Sequence, residues 1–105
     1  MGLLALARLA GVFVARMLFS ERVVAKLVRR GIQPEEVEQL PENGGRSKRN
    51  PRPRHPDSRF LIGPTNGGRI LTAVVEPEAA DDAIWHVRTA WESSPTEQMF
   101  YYRRS

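Results

Sequence analysis

The chain has 105 residues, 41% hydrophobic and 27% charged, with a formal net charge of +4. That is the size and make-up of one soluble globular domain, not of a disordered chain or of two domains. The absence of cysteine excludes disulfide frameworks and cysteine zinc sites and makes the cytoplasm the default compartment. His55 and His86 stand far apart with no carboxylate cluster near them, so neither a metal nor a cofactor is expected.

Residues 1 to 19 are apolar apart from Arg8 and Arg16. Two arginines inside the run argue against a stable membrane span, which needs roughly 20 apolar residues in succession. Their placement argues against a secretory signal too. An amphipathic lead helix fits better, because the two arginines project about 80° apart and leave a wide apolar remainder. Met17 offers an alternative start, with residues 1 to 16 outside the natural product.

Ser20 is an N-cap, and Val23, Val24, Leu27 and Val28 recur at helical spacing before Arg29-Arg30-Gly31 ends the run. A helix over Glu21 to Arg30 follows. Pro34-Glu35-Glu36 opens a second, short helix, with Val37 and Leu40 on its inner side and Pro41 closing it. Its three glutamates argue against a DNA-reading helix–turn–helix. Residues 41 to 56 read as loop, with a short edge strand around Arg46 to Arg49.

Arg59 to Gly63 and Arg69 to Val75 read as strands joined by the turn Pro64-Thr65-Asn66-Gly67-Gly68. Glu76 to Asp82 is expected to be a solvent-facing connection. Ile84 to Trp91 is the next strand. Strict alternation puts Trp85, Val87, Thr89 and Trp91 on one face, and Ile84, His86, Arg88 and Ala90 on the other. Ser94-Pro95-Thr96-Glu97 is a capping-box pattern that starts a helix to about Arg103, presenting Met99 and Tyr102 (or Phe100) to the sheet. The whole predicts an α+β fold: two N-terminal helices, a three- to four-stranded antiparallel sheet with helices on one side, and a C-terminal helix.

Two features carry chemistry. Residues 46 to 59 hold six Lys or Arg against Asp57 alone, so the positive charge is local. Arg46, Lys48, Arg49, Arg52, Arg54 and Arg59 suit the phosphate backbone of a nucleic acid, while the neutral alternative is a loop kept soluble by charge. His86 and Arg88 stand two residues apart on the polar side of a strand. An imidazole titrates near neutral pH and serves as base or acid, and a guanidinium matches phosphate oxygens bidentately. Tyr101 is a candidate for stacking on a base.

The order Gly31-Ile32, Pro34-Glu35-Glu36-Val37, Arg59-Phe60-Leu61-Ile62-Gly63, Gly68-Arg69-Ile70-Leu71 and Thr89-Ala90-Trp91 with Glu97 and Tyr101 resembles the BrnT-type toxins over roughly residues 20 to 104. The resemblance implies a RelE-like fold and metal-independent RNA cleavage. It also implies a small antitoxin encoded nearby, and DNA contact only through the toxin–antitoxin complex. It raises Arg69 to a phosphate clamp beside His86 and Arg88. The chain departs from the family pattern at Arg29-Arg30-Gly31, where Lys-His-Gly is usual, and at Trp91, where arginine is usual. A catalytically inactive RNA-binding or interaction module on the same fold is the alternative.

Overall fold

Two helix-ending glycine turns and three runs of β-branched residues set the frame of this molecule. The structure, a computed structural model, describes residues 7–9, 12–14, 16–52, 56–81 and 83–103. Strands β1 (Ala7–Leu9) and β2 (Val12–Val14) pair antiparallel, and β3 (Arg16–Leu18) pairs parallel with β7 (Ile84–Glu92). The lead helix expected over residues 1 to 19 is therefore not formed across residues 7–9, 12–14 and 16–18; residues 1–6 lie outside the described residues. Val12-Phe13-Val14 is a β-branched and aromatic run, and Met17-Leu18 finds a sheet edge to pair with, so tertiary pairing overrides helix propensity.

Helix α1 (Glu21–Arg29) starts at Ser20, whose Oγ accepts the Val23 N–H at 3.2 Å. It ends in a Schellman turn: Ile32 N–H donates to Leu27 O and Gly31 N–H to Val28 O, each at 2.9 Å, with Gly31 at φ +72°. Helix α2 (Pro34–Glu42) runs one residue past Pro41, which is buried within its last turn and does not close it.

The main sheet has the order β3-β7-β6-β5-β4, with β4 (Arg46–Arg49), β5 (Arg59–Pro64) and β6 (Ile70–Pro77). It is mixed and five-stranded, because β3 adds a parallel edge to the expected antiparallel set. One face packs against α1 and α2. Leu61, Leu71, Ala73, Val75, Trp85, Val87 and Ala90 meet Val23, Leu27, Ile32, Val37 and Leu40 there. Each fully buried leucine contributes about 1.5–3 kcal/mol. At Gly63 the α2–β4 connection comes so close that a Cβ would sit 2.7 Å from Gly45 Cα.

Helix α3 (Pro95–Tyr102) lies on the opposite face, over Ile62 and Thr72, so the sheet carries helices on both sides rather than one. Its capping box forms as expected: Glu97 N–H donates to Ser94 Oγ at 3.2 Å and Ser94 N–H to Glu97 Oε1 at 2.8 Å. Of the two alternatives for its inner side, Phe100 is the one that turns inward, with Glu97, whereas Met99 and Tyr102 are 60% and 63% exposed.

The strand β7 is not a simple two-faced element. Val75 pairs with Val87 and Val74 with Thr89, which leaves Arg88 as an extra residue in a β-bulge. Before the bulge the odd residues Trp85 and Val87 are buried; after it the even residue Ala90 is buried. Trp91 is thereby moved off the core face. Because β3 covers only Ile84 to His86, the edge of β7 beyond that point faces α1. Arg30 Nη1 donates to Ala90 O at 2.9 Å and Thr89 Oγ1 at 3.0 Å, and Lys26 Nζ reaches Arg88 O at 3.5 Å.

Candidate functional site

Cross-strand register assigns each side chain to a face and a row. On the face away from α1 and α2, one row runs Arg46–Ile62–Thr72–Trp91, the next Lys48–Phe60–Val74–Thr89, and a third pairs Glu76 with His86. Helix α3 covers the first row. The Glu76–His86 end of this face is the open one, and the Arg88 bulge projects there as well.

At that end, His86 Nε2 is hydrogen-bonded to Glu78 Oε2, and Arg88 Nε donates to Glu76 Oε1 at 2.8 Å. His86 and Glu78 are 33% and 38% exposed, so the pair is within reach of a ligand. With Glu78 accepting at Nε2, the ring keeps its other nitrogen, Nδ1, for an incoming group. No group of acidic and histidine residues with metal-binding geometry occurs among the described residues.

Glu76 does not belong to the solvent-facing connection that its sequence context suggests: β6 continues to Pro77 and Glu76 is buried, and the connection begins at Glu78. The alternation carries the signal: Glu76 continues the series Thr72, Val74 on one face, and its charge is met by the side chain of Arg88 from the bulge.

Arg69 stands at the other end of β6. Seven residues at about 3.3 Å each put roughly 23 Å of strand between it and Glu76. There it donates to Gly31 O at 3.0 Å and bridges Glu36 at 3.5 Å and Glu92 at 3.6 Å. It ties the α1–α2 corner to the sheet, and the grouping of Arg69 with His86 and Arg88 around one phosphate is not formed.

The basic residues divide likewise. Arg46 Nη1 donates to Phe100 O at 2.7 Å and also to Arg103 O, with its guanidinium 4.6 Å from the centre of the Phe100 ring. Lys48 Nζ lies 5.1 Å from the same centre. These two hold α3 down. Arg49 and Arg59 are exposed cross-strand partners at the rim of the sheet, flanking a cleft of about 320 Å³ that Pro56, Asp57 and Ser58 complete. The loop that follows is tied at its base by Asn50, whose side chain donates to Ser58 Oγ at 2.9 Å and accepts the Arg52 N–H at 2.9 Å. Arg52 is exposed; Arg54 and His55 lie outside the described residues. Tyr101 is partly buried, edge-on to Tyr102 at 5.2 Å.

Trp91, which strict alternation places on one face with Trp85 and Val87, is only partly buried and lies off that face. Its Nε1 donates to Glu97 Oε1 at 3.0 Å, and its ring meets Phe60 edge-on at 5.6 Å. The same carboxylate oxygen takes the Thr72 hydroxyl at 2.9 Å. Burial alone would push the Glu97 carboxyl up, but hydrogen bonds from the Ser94 backbone, Trp91, Thr72 and the Ser94 hydroxyl outweigh it and hold it below the ordinary value of 4.5.

These observations define an α+β protein with a mixed sheet, one helix-covered face and one partly open face bearing a histidine–carboxylate pair. No protein-family model matches the chain, and no curated protein matches its sequence. No helix among the described residues is long and apolar enough to cross a membrane.

Proposed function

We propose that this protein is a cytoplasmic toxin-type endoribonuclease that cleaves RNA by metal-independent acid–base chemistry and is held in check by a small antitoxin. On this reading DNA is met only through the toxin–antitoxin complex. The carrying observation is the paired arrangement at one end of β7, where Glu78 is bonded to His86 Nε2 and Glu76 to Arg88. Arg49 and Arg59 lie at the same end of the sheet, but their row runs through Val75 and Val87 and projects from the other face.

The chemistry follows from the pair at that end. Glu78 orients the His86 ring through Nε2, as a carboxylate orients a catalytic imidazole. Nδ1 takes the proton of a ribose 2′-hydroxyl, whose oxygen attacks the adjacent phosphorus. Arg88, in contact with Glu76, shares its guanidinium with the charge that develops on the phosphoryl oxygens. The bond to the 5′-oxygen breaks, leaving a 2′,3′-cyclic phosphate, and the departing oxygen takes its proton from solvent. Arg49, Arg52 and Arg59, at the rim, draw the polyanion toward the sheet.

The test is expression without the neighbouring gene, together with cleavage of RNA by purified protein in the presence of chelator. Growth arrest and cleavage that Glu78→Gln or His86→Ala abolishes support this reading. Harmless expression with salt-sensitive RNA binding supports the second: a binding module on the same scaffold that has no cleavage activity. That reading draws on Arg88 and Arg69 both being engaged by carboxylates.

A further inference from the structure

Arg49 and Arg59 take no part in the bond-breaking chemistry above, and they face each other directly across β4 and β5. The Asn50 N–H donates to Ser58 O at 3.2 Å, so the next pair along the ladder is the hydrogen-bonded one and Arg49–Arg59 is not. Opposed side chains come closest at such a position, with Cα atoms about 4.5 Å apart. Arg46 and Lys48 are taken up by α3. Among the described residues, neither the Arg49 nor the Arg59 guanidinium has a carboxylate or hydrogen-bond partner.

We infer that the cleft between Arg49 and Arg59 is a binding site for a phosphate monoester, separate from the His86 end. Two like charges held opposite one another are unfavourable, and a dianion between them removes that cost. A phosphate monoester carries about −1.5 to −2 charge at pH 7 and three acceptor oxygens, which suit a pair of guanidinium forks. A backbone diester brings a single charge.

The cleft is held in shape by its own residues. Asn50 and Ser58, 8% and 2% exposed, are joined by their side-chain bond of 2.9 Å, which fastens the Pro56–Ser58 wall to the end of β4. Having accepted from Asn50, the Ser58 hydroxyl keeps its own proton to donate. Asp57, the one acid lining the cleft, is itself engaged. The volume of about 320 Å³ matches the lower end of small-molecule sites, so it admits a phosphate with a compact organic group, as in a nucleotide or a sugar phosphate. The row Arg49–Arg59–Val75–Val87 projects from the face opposite His86, so a group held here does not meet the candidate catalytic pair. Binding at this site does not depend on cleavage of RNA.

The experiment is calorimetric titration of the full chain at constant ionic strength with inorganic phosphate, adenosine 5′-monophosphate, adenosine and dimethyl phosphate. The two dianions are expected to bind, dimethyl phosphate more weakly, and adenosine not at all. Tighter binding of the nucleotide than of inorganic phosphate identifies a ligand with an organic group, and equal binding identifies free phosphate. Arg49→Gln and Arg59→Gln should each weaken dianion binding roughly 10-fold or more, the loss of a hydrogen bond between charged groups. Arg52→Gln, on the same loop but outside the cleft, and His86→Ala, on the other face, should bind as the parent does. No binding of either dianion, unchanged affinity in both cleft variants, an equal loss in Arg52→Gln or His86→Ala, or equal affinity for dimethyl phosphate overturns the site. Each of those results leaves the proposed action on RNA standing.

Discussion

Glu97 Oε1 accepts the indole N–H of Trp91 at 3.0 Å, across the junction between β7 and α3. The same oxygen also closes the capping box and meets Thr72, so one atom joins a strand end, a helix start and the neighbouring strand. Glu97→Gln is expected to cost about 1–3 kcal/mol at neutral pH, since hydrogen bonds to a charged acceptor are lost together. The carboxyl is held below its ordinary value, so its contribution is fully present above the unfolded value, near 4.5, and is lost as pH falls through the lower folded value. Urea midpoints measured against pH should fall on the acid side for the parent and fall less steeply for Glu97→Gln.

Arg88 raises a different matter. Glu76 is only 8% exposed, and its carboxylate is bridged by the half-exposed guanidinium of Arg88. Arg88→Ala leaves a buried carboxylate without that cation and should destabilise by about 1–3 kcal/mol on that account alone. Loss of RNA cleavage in that variant is therefore ambiguous. The double change Arg88→Ala with Glu76→Gln is expected to recover most of the melting temperature and none of the cleavage.

For Arg69 the expectation is reversed. Its hydrogen bond to Gly31 O and its bridges to Glu36 and Glu92 all lie within the fold. Arg69→Met should lower the unfolding free energy by about 1–2 kcal/mol. RNA cleavage per folded molecule should stay at the parent rate, assayed well below the melting temperature. A large fall in rate with unchanged stability would return Arg69 to the chemistry.

Arg49 and Arg59 face each other directly across β4 and β5. Like charges in that position are unfavourable, whereas opposite charges add roughly 0.2–1 kcal/mol. Arg49→Glu should raise the melting temperature slightly and weaken RNA binding. The slope of log K against log salt should become shallower by about 0.7 for each phosphate no longer neutralised. Opposite signs in the two measurements are the expected signature of a surface shaped for an anion.

Close approach at Gly63 gives a purely structural expectation. A methyl group there meets Gly45 Cα at 2.7 Å, and that backbone is itself held by the Gly45 N–H to Leu40 O bond of 2.8 Å. Gly63→Ala should cost about 1–3 kcal/mol by overpacking. Denaturant unfolding measures it.

What can be read from the residues is what short-range chemistry determines. The Ser20 and Ser94 caps, the Gly31 turn, the edge strand at Arg46 and the strands after Arg59 and Arg69 all depend on neighbours within a few positions. Three features depend on distant partners and are not legible. β3 forms because β7 offers an edge to Met17, and β1 and β2 form by pairing with each other. The bulge at Arg88 arises from how β6 and β7 register, and it reverses the face of every later residue, so strict alternation puts Trp91 on the wrong side. The phase of α3 follows Arg46 and Lys48, which draw Phe100 inward from a strand half the chain away. For the candidate site, the His86–Arg88 spacing is visible in the sequence, but Glu76 and Glu78 are not, since they become partners only once β6 extends past Val75.

The half-covered edge of β7 has one more effect. A strand whose carbonyls face outward invites a second chain to line up beside it, and growth by that route ends in polymer. Lys26 and Arg30 reach from α1 to the carbonyls of Arg88 and Ala90. Long, charged side chains laid along that border occupy the acceptors and repel another copy bearing the same charges. The helix thus acts as a guard rail for that stretch of the strand.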